Sequence, residues 1–410
     1  MKSEVITVGS EIMSGHTLDT NFRFIARKLS SIGAEVVWHT SVGDDHETVA
    51  DVLRVALRRA EIVVMTGGLG PTPDDVTRKV VSTVLGRNLL LNDSVLEAIR
   101  ERYRMRGTQM PGINERQALF PKGAEVIENK VGAAPGFLIK EGEKLLFALP
   151  GVPLEAEVML EQHVLPRLTQ SGTPRGREQV VLRTVGLPES IMAERIASMR
   201  EQLEGVSISY LPHDYGVDLC LTFKKGEPTQ LALNERVARQ RLLPILGKHF
   251  YGEGDKTLEE VVGELLVSKR RKLAVAESVT GGMVSQLITS VPGASRYFML
   301  GVTAYSDETK CKVLGVSDEL IREKGAVSEQ VAIEMARGVR KKGAADIGVS
   351  STGIAGPGGG RAEKPVGLVY IAVATQRKAS AEELRLVGNR ALITRRASAA
   401  ALEMVRRSLL

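Results

Sequence analysis

Two stretches of this chain share one design. In EIVVMTGGLGPTPDDVT (61–77) and in KLAVAESVTGG (272–282), a short apolar run enters a Thr-Gly-Gly turn that opens a helix-like segment. Such a run reads as a buried strand of a parallel sheet, and buried strands need helices on both faces. The surrounding chain supplies them. Glu4–Val8, Ala34–Thr40 and Glu61–Thr66 read as strands, while Leu18–Leu29, Thr48–Arg59 and Asp74–Leu85 read as helices. The alternation predicts a parallel sheet covered on both sides. From Thr257 it resumes, with a helix to Ser268, strand Lys272–Ala276, helix Met283–Ser290, strands Asp346–Ser351 and Val366–Ala374, and a long helix from Arg390.

At roughly 150 residues per domain, 410 residues suggest two or three domains. LTQSGTPRGREQ (168–179) has the Gly, Ser, Pro and Arg content of a linker, and YGEGDK (251–256) reads as a second one. Between them lies a small α+β module with strands Val180–Val185 and Leu219–Lys224 and a helix over Ser190–Gln202. The expected division is therefore 1–168, 176–250 and 256–410. Hydrophobic residues at 43% allow real cores, so disorder is excluded. Glycine reaches 41 residues while aromatics make up only 4%. That pairing argues against an aromatic platform for single-stranded nucleic acid and favours glycine turns that bring backbone close to small ligands.

Other classes drop out. The longest apolar stretches, such as Ile62–Met65 and Leu145–Leu149, are far shorter than the roughly 18–20 residues of a membrane span, and MKSEVITVGSEIMSG lacks a signal-peptide core. Two distant cysteines, Cys220 and Cys311, fit a reduced, cytoplasmic protein. The histidines (His16, His39, His46, His163, His213, His249) form no HxH or HExxH pair, which argues against a zinc enzyme. The net charge of +6 is mild and scattered; it permits anionic ligands without implying nucleic acid.

At a strand–turn–helix junction, free backbone amides and the helix dipole favour a phosphate or a developing oxyanion. Glycine also serves any tight turn, so each Gly-Gly has a purely structural explanation as well. In the first junction Thr72 can cap a helix, Pro73 can open it, and Asp74 and Asp75 can complement its dipole. Alternatively, one carboxylate holds a divalent metal on a ligand's phosphates. In the second junction Ser278 sits just past a strand end, where its hydroxyl could attack a ligand while turn amides hold the oxyanion. No histidine follows His249, which leaves Lys310 of YSDETK (305–310) as the base, with Tyr305 as a hydrogen-bonding partner. The residues alone favour the plainer alternative, a capping serine and a solvated lysine. A third glycine-rich stretch, SSTGIAGPGGG (350–360), carries Thr352 at its lip.

TGGLGPTPDD, NERQALFPKGAEVI, APGF (134–137) and LPGVPLE (149–155) resemble the N-terminal domain of the CinA (competence/damage-inducible) family. AESVTGG, AYSDETK, GAVSE (325–329), TGIAGPGGG and EKPVG (363–367) resemble its C-terminal domain, and the likeness covers essentially the whole chain in order. The resemblance implies an α/β fold: an N-terminal three-layer domain of the molybdopterin-binding (MoaB/MogA-like) kind, a small α+β KH-like middle domain and a C-terminal α/β CinA domain. It implies that the C-terminal domain is a PncC-type amidohydrolase turning nicotinamide mononucleotide into nicotinate mononucleotide and ammonia. Ser278 would be nucleophile and Lys310 base, with Tyr305 and Thr352 in the site. Thr280, Gly281, Gly282, Gly353, Ala355, Gly356 and Arg390 would bind substrate, Arg390 as a phosphate clamp. Val279 stands where the family often has cysteine; neither serine nor lysine depends on that side chain.

For the N-terminal domain the resemblance implies hydrolysis of ADP-ribose to AMP and ribose 5-phosphate with a divalent metal of the Mg, Mn or Co class. Asp74 and Asp75 would hold the metal. Asn21, Thr66, Gly67, Gly68, Gly70, Pro150 and Gly151 would line the site. The middle module lacks the GxxG loop with which KH domains clamp a nucleic acid backbone, so a spacer or dimerisation role is expected and a homodimer with it. The rival expectation is a protein that does no chemistry: a pterin or nucleotide carrier, or a DNA-associated competence factor.

Overall fold

The computed structural model describes residues 1–170, 179–199, 203, 205–223 and 228–410, and divides into two compact units, Met1–Glu178 and Gln179–Leu410. Most of the first expected linker lies outside the described residues, as do Lys224 and Gln202 at the ends of two expected elements.

The first unit is built on a six-stranded sheet. Its strands are β1 (Lys2–Val8), β2 (Glu35–Val42), β3 (Ile62–Thr66), β6 (Glu125–Ile127), β7 (Gly136–Glu141) and β8 (Lys144–Leu149), in the order β2-β1-β3-β8-β7-β6. β4 (Leu89–Leu91) and β5 (Leu119–Pro121) form a separate two-stranded ribbon. β2, β1, β3 and β8 run parallel, but β7 pairs antiparallel with β8 and β6 antiparallel with β7. The sheet is thus mixed rather than parallel throughout. The cause is local: β7 and β8 are joined by a tight turn at Gly142, and parallel neighbours would need a long crossover.

Helices cover both faces. His46–Arg59 buries Val49, Ala50, Leu53 and Ala56 on one stripe, and Thr20–Ser31 buries Ile25 and Leu29. Side chains on the two faces of the strands fill two separate cores, one around Met65, Phe137 and Leu53, the other around Phe147, Ile62 and Ile25. The fully buried Glu4 is answered by a two-pronged Arg59 contact (2.8 and 2.7 Å) and by Thr40 Oγ1 (2.9 Å), while the same guanidinium lies 4.7 Å over the ring of Trp38. The helix expected from Asp74 begins only at Thr77.

The second unit holds two sheets. β9 (Gln179–Thr184), β10 (Val206–His213), β11 (Gly216–Phe223) and β12 (Phe250–Glu253) form an antiparallel sheet in the order β10-β11-β9-β12. Helices Glu189–Ala197 and Pro228–Leu246 pack on it through Met192, Ile196, Ala238 and Leu242. The second expected linker is corrected here: Phe250–Glu253 is a strand paired with β9, and Tyr251 is buried. The other sheet comprises β13 (Leu273–Glu277), β14 (Phe298–Thr303), β15 (Ile347–Gly353), β16 (Leu368–Ala374) and β17 (Ala379–Arg385), in the order β14-β13-β15-β16-β17. β14, β13 and β15 are parallel; β16 and β17 return antiparallel. The helix Arg390–Leu409 buries ten of its residues against this sheet and the helix Leu258–Ser268. Among the described residues no helix is long and apolar enough to cross a membrane.

Candidate active sites

In each unit the strand order reverses beside one strand, and the crevice outside the carboxyl ends of the strands at such a point is where α/β sheets hold ligands. In the first unit β1 lies between β2 and β3, and the ends of β1, β3 and β8 come level. The chain leaving β3 is TGGLG. Gly67 has φ +102°, and a Cβ there would fall 2.1 Å from the carbonyl oxygen of Val8, so only glycine passes that close to the end of β1.

Four of the expected residues meet directly. Asn21 Nδ2 donates to Thr66 Oγ1 (2.9 Å) and to the Gly151 carbonyl (2.8 Å), and Thr66 Oγ1 donates to the Pro150 carbonyl (2.8 Å). Asn21 Oδ1 is left buried without a hydrogen-bond partner among the described residues. A buried acceptor in that condition calls for a donor from water or ligand. Next to this cluster a cavity of about 610 Å³ is lined by Gly67, Gly68, Gly70, Asp74 and Asp75 together with Glu11, Asp44 and Glu155.

Asp75 is already engaged. Its Oδ1 accepts from the Gly70 amide (2.6 Å), and its Oδ2 accepts from the Thr72 amide (2.8 Å) and Thr72 Oγ1 (2.7 Å). The side chain braces the turn, and Thr72 serves this brace instead of capping a helix. Asp74 is exposed, and its carboxylate has no hydrogen-bond partner among the described residues. Among those residues no three acidic, histidine or cysteine side chains converge as a ready-made metal cage. Mg²⁺-class ions need none, since they keep several waters and are held through one or two carboxylates plus substrate phosphates. The donors present fit an ion of that kind, with Asp74 as the carboxylate free to meet it.

The sequence reading missed Arg78. Its guanidinium is buried beneath the turn, donating to the carbonyls of Leu69 (2.7 Å) and Pro135 (3.0 Å) and lying 5.6 Å from the centre of the Phe120 ring. Burial pushes its pKa down to about 10, with the charge of Asp75 acting in the opposite direction. Sequence alone had only a helical arginine, which is usually solvated.

In the second unit the reversal falls at β13, flanked by β14 and β15. Ser278 follows β13 directly and is buried; its amide donates to the Ser351 carbonyl (2.9 Å), which ties the turn to β15. The Ala304 amide donates to the Glu277 carbonyl (2.7 Å), bringing the chain after β14 to the same edge. Tyr305 comes next, and Lys310 Nζ reaches back to the Tyr305 carbonyl and Asp307 Oδ1, both at 3.4 Å. The Lys310 side chain is only 3% exposed, against 59% for its aspartate partner, so the solvated-lysine alternative does not hold. Thr280 Oγ1 and Ser351 Oγ are 2.6 Å apart, and Thr352 Oγ1 donates to the Ala326 carbonyl (2.8 Å). Arg390 closes the rim by donating to the Gly356 carbonyl (3.0 Å) and Tyr305 Oη (2.7 Å). Gly353 ends β15 opposite Val369, and Ala355 is buried in the core beyond it.

Glu277 changes the reading of the glycine turn. This fully buried carboxylate accepts from the amides of Gly282 (3.0 Å), Val284 (3.0 Å) and Ser285 (2.8 Å) and from Ser285 Oγ (2.7 Å). The helix N-terminus expected to face a ligand anion is therefore capped from inside by the residue before Ser278. The Gly281 amide is also used, donating to the Ser278 carbonyl (3.2 Å), and the Met283 amide donates to that of Thr280 (3.1 Å). Among the described residues the amides of Val279 and Thr280 are left without a partner in this turn. The signal was in the sequence: an acid three residues before a Thr-Gly-Gly helix start has the reach to cap it.

Fold and sites together define a chain of two α/β units, each presenting a glycine turn at the point where its strand order reverses. Three family models match it in succession: "Probable molybdopterin binding domain" over residues 4–170, "Damage-inducible protein CinA KH domain" over 179–252 and "CinA C-terminal domain" over 255–409. The chain belongs to the CinA family. A protein of Caldicellulosiruptor saccharolyticus with a competence-damage inducible name is 40% identical over 410 residues, covering 100% of both chains. A CinA-like protein of Dictyoglomus turgidum is 39% identical over 413 residues, again covering 100% of both. The solved structure of a CinA protein of unknown function from Thermoplasma acidophilum is 35% identical, covering 42% of this chain and 96% of its own, with a TM-score of 0.38.

Proposed function

We propose that the C-terminal part of the chain is a serine–lysine amidohydrolase that deamidates nicotinamide mononucleotide. The carrying observation is the buried Lys310 ammonium beside the carbonyl of Tyr305, on the same sheet edge as Ser278 and away from histidine. In its neutral form the Lys310 amine takes the proton from Ser278 Oγ as that oxygen attacks the carboxamide carbon. The tetrahedral oxyanion is held by the open amides of Val279 and Thr280. Collapse breaks the carbon–nitrogen bond, and Lys310 returns the proton to the departing ammonia. Water then cleaves the Ser278 ester, giving the nicotinate form and free serine. Arg390 offers the guanidinium that pairs with the substrate phosphate, a two-pronged contact suited to it.

For the N-terminal unit we infer hydrolysis of ADP-ribose at its pyrophosphate. The Asn21–Thr66–Gly151 cluster, with its open Asn21 acceptor, would orient a ribose hydroxyl, and the turn braced by Asp75 would shape the pyrophosphate subsite. Asp74 would hold a Mg²⁺-class ion, which would supply charge neutralisation of the phosphates when bound.

Ammonia release from nicotinamide mononucleotide is the test. Wild type is expected to release it, and Ser278→Ala and Lys310→Ala are each expected to lose it while keeping the wild-type melting temperature. Absence of ammonia from wild type, or unimpaired rates in both variants, overturns the assignment. Metal-dependent AMP formation from ADP-ribose tests the N-terminal site in the same way.

A further inference from the structure

A cavity outside these sites lies within the second unit, where the tip of the β10–β11 hairpin meets the chain after β17 and the helix Arg390–Leu409. It has a volume of about 720 Å³, within the range of roughly 300–1,000 Å³ typical of small-molecule sites. None of its lining residues belongs to the Ser278 site. The floor is apolar, formed by Val185, Leu187, Val217, Leu384, Leu386 and Ala400.

The charges around that floor do not cancel. Each acid in the wall already has an arginine: Asp214 pairs with Arg395, and Glu382 and Glu403 both pair with Arg407. Two cations have no carboxylate among the described residues. Arg396 is bound only to carbonyl oxygens, those of Asp214 and Val387 (2.6 Å each), and Lys248 Nζ has no partner among the described residues. The wall also carries His213, whose two ring nitrogens are buried without a hydrogen bond among the described residues; Nε2 lies 3.3 Å from Asp218 Oδ1 but off the hydrogen-bonding direction. Buried polar atoms without partners beside an apolar floor mark a place where a ligand completes the bonding.

We propose that this cavity is a second ligand site, which binds a small molecule with a flat apolar ring system and one anionic group. The rings cover the Val217–Leu386–Ala400 floor and stack toward His213, whose ring already meets Tyr215 at 4.4 Å. The anion takes the charges of Arg396 and Lys248. The size suits one or two fused rings rather than a dinucleotide or a peptide.

The full chain is titrated with 8-anilinonaphthalene-1-sulfonate, which has this chemistry, and with N-phenyl-1-naphthylamine, which has the same rings and no charge. The sulfonate is expected to fill one saturable site per chain. Lys248→Gln is expected to weaken it about fivefold, the loss of one partly exposed charge contact, and to leave the neutral dye unchanged. Ala400→Phe, which fills the floor, is expected to abolish that site for both. Sulfonate binding that is non-saturable, or indifferent to both substitutions, overturns the proposal. If Ala400→Phe does not fold, the Lys248→Gln comparison between charged and neutral dye decides alone.

Discussion

Replacing Glu277 by glutamine keeps the size of the side chain and removes its charge. Four donors converge on the carboxylate: three amides and the Ser285 hydroxyl, at 2.7–3.0 Å. A glutamine carbonyl can keep the Gly282 and Val284 amides, and Ser285 Oγ can turn to accept from the new NH₂ group. The Ser285 amide has no such freedom and is left facing a donor. One buried amide without an acceptor costs about 1–3 kcal/mol. Loss of an anion at the helix N-terminus adds roughly 0.3–2 kcal/mol. The sum, about 1–5 kcal/mol, corresponds in a unit of this size to a melting temperature lower by roughly 3–20 °C.

The same substitution reaches catalysis through the turn. Glu277 is fully buried and acts through the turn: it positions the Val279–Thr280 amides by holding the helix start that follows them. Removing an oxyanion donor outright costs about 10²–10³ in kcat, so donors that are displaced rather than deleted should cost about 10–100-fold. Ammonia release by Glu277→Gln, assayed below its melting transition, is therefore expected to show a lower kcat with KM nearly unchanged. Ser285→Ala removes one hydroxyl and no charge, and should lose far less. Wild-type melting and wild-type kcat in Glu277→Gln would refute this role, because a buried carboxylate with four donors cannot be neutralised without consequence.

Arg390→Lys keeps the charge but loses the fork that spans Gly356 and Tyr305; KM for the mononucleotide should rise about tenfold, and kinetics with the phosphate-free riboside should not change. Asp75→Asn and Asp74→Asn should separate in the N-terminal unit: the first lowers the melting temperature and stops AMP release at any metal concentration, the second leaves melting unchanged and raises the metal needed for half-maximal rate. Equal melting in the two variants would remove the bracing role of Asp75. His163 is held below its usual pKa, first by burial and then by the nearby charges of Arg167 and Lys130. Below about pH 6.5 the unfolded chain takes up a proton that the folded unit resists, so stability falls with acidification from pH 7 to 5.5. Urea midpoints should show that slope, and His163→Gln should flatten it.

The parts legible in the sequence were those written in continuous apolar runs. β3 and β13 are buried at every residue and bounded by glycine turns, so the period and the punctuation agreed. β14 and β10 alternate half-buried and exposed positions at sheet edges, and neither stood out. β12 was hidden by glycine: Gly252 and Gly254 suggested a linker, yet Phe250–Glu253 pairs with β9 about 70 residues away and Tyr251 is buried in a core with Val185, Leu258 and Val262. Strand direction had a readable cue that went unused. Between Gly353 and Leu368 there is only a glycine-rich loop, and without a crossover helix the next strand must return antiparallel. In the sites, the residue types were legible and the partners were not, because hydrogen bonds such as Asn21 to Gly151 join positions 130 residues apart.

The two glycine turns share more than their sequence. Each looked like a ready anion cradle, and in each the chain's own carboxylate already occupies the amides: Asp75 takes those of Gly70 and Thr72, Glu277 those of Gly282, Val284 and Ser285. A buried amide must have an acceptor whether or not ligand is bound, and an internal carboxylate meets that need without waiting for one. The consequence is a division of labour. The carboxylate-held amides fix the shape of each turn, and among the described residues those left open include Gly68 N and Leu69 N in the first turn and Val279 N and Thr280 N in the second. In the proposed amidohydrolase site the two open amides are reserved for the oxyanion, which leaves Arg390 on the rim for the substrate phosphate. Glycine density at a strand end accordingly locates a site in this chain but does not say which atoms bind. The acid lying within eight residues of the glycines does, by showing which amides are already taken.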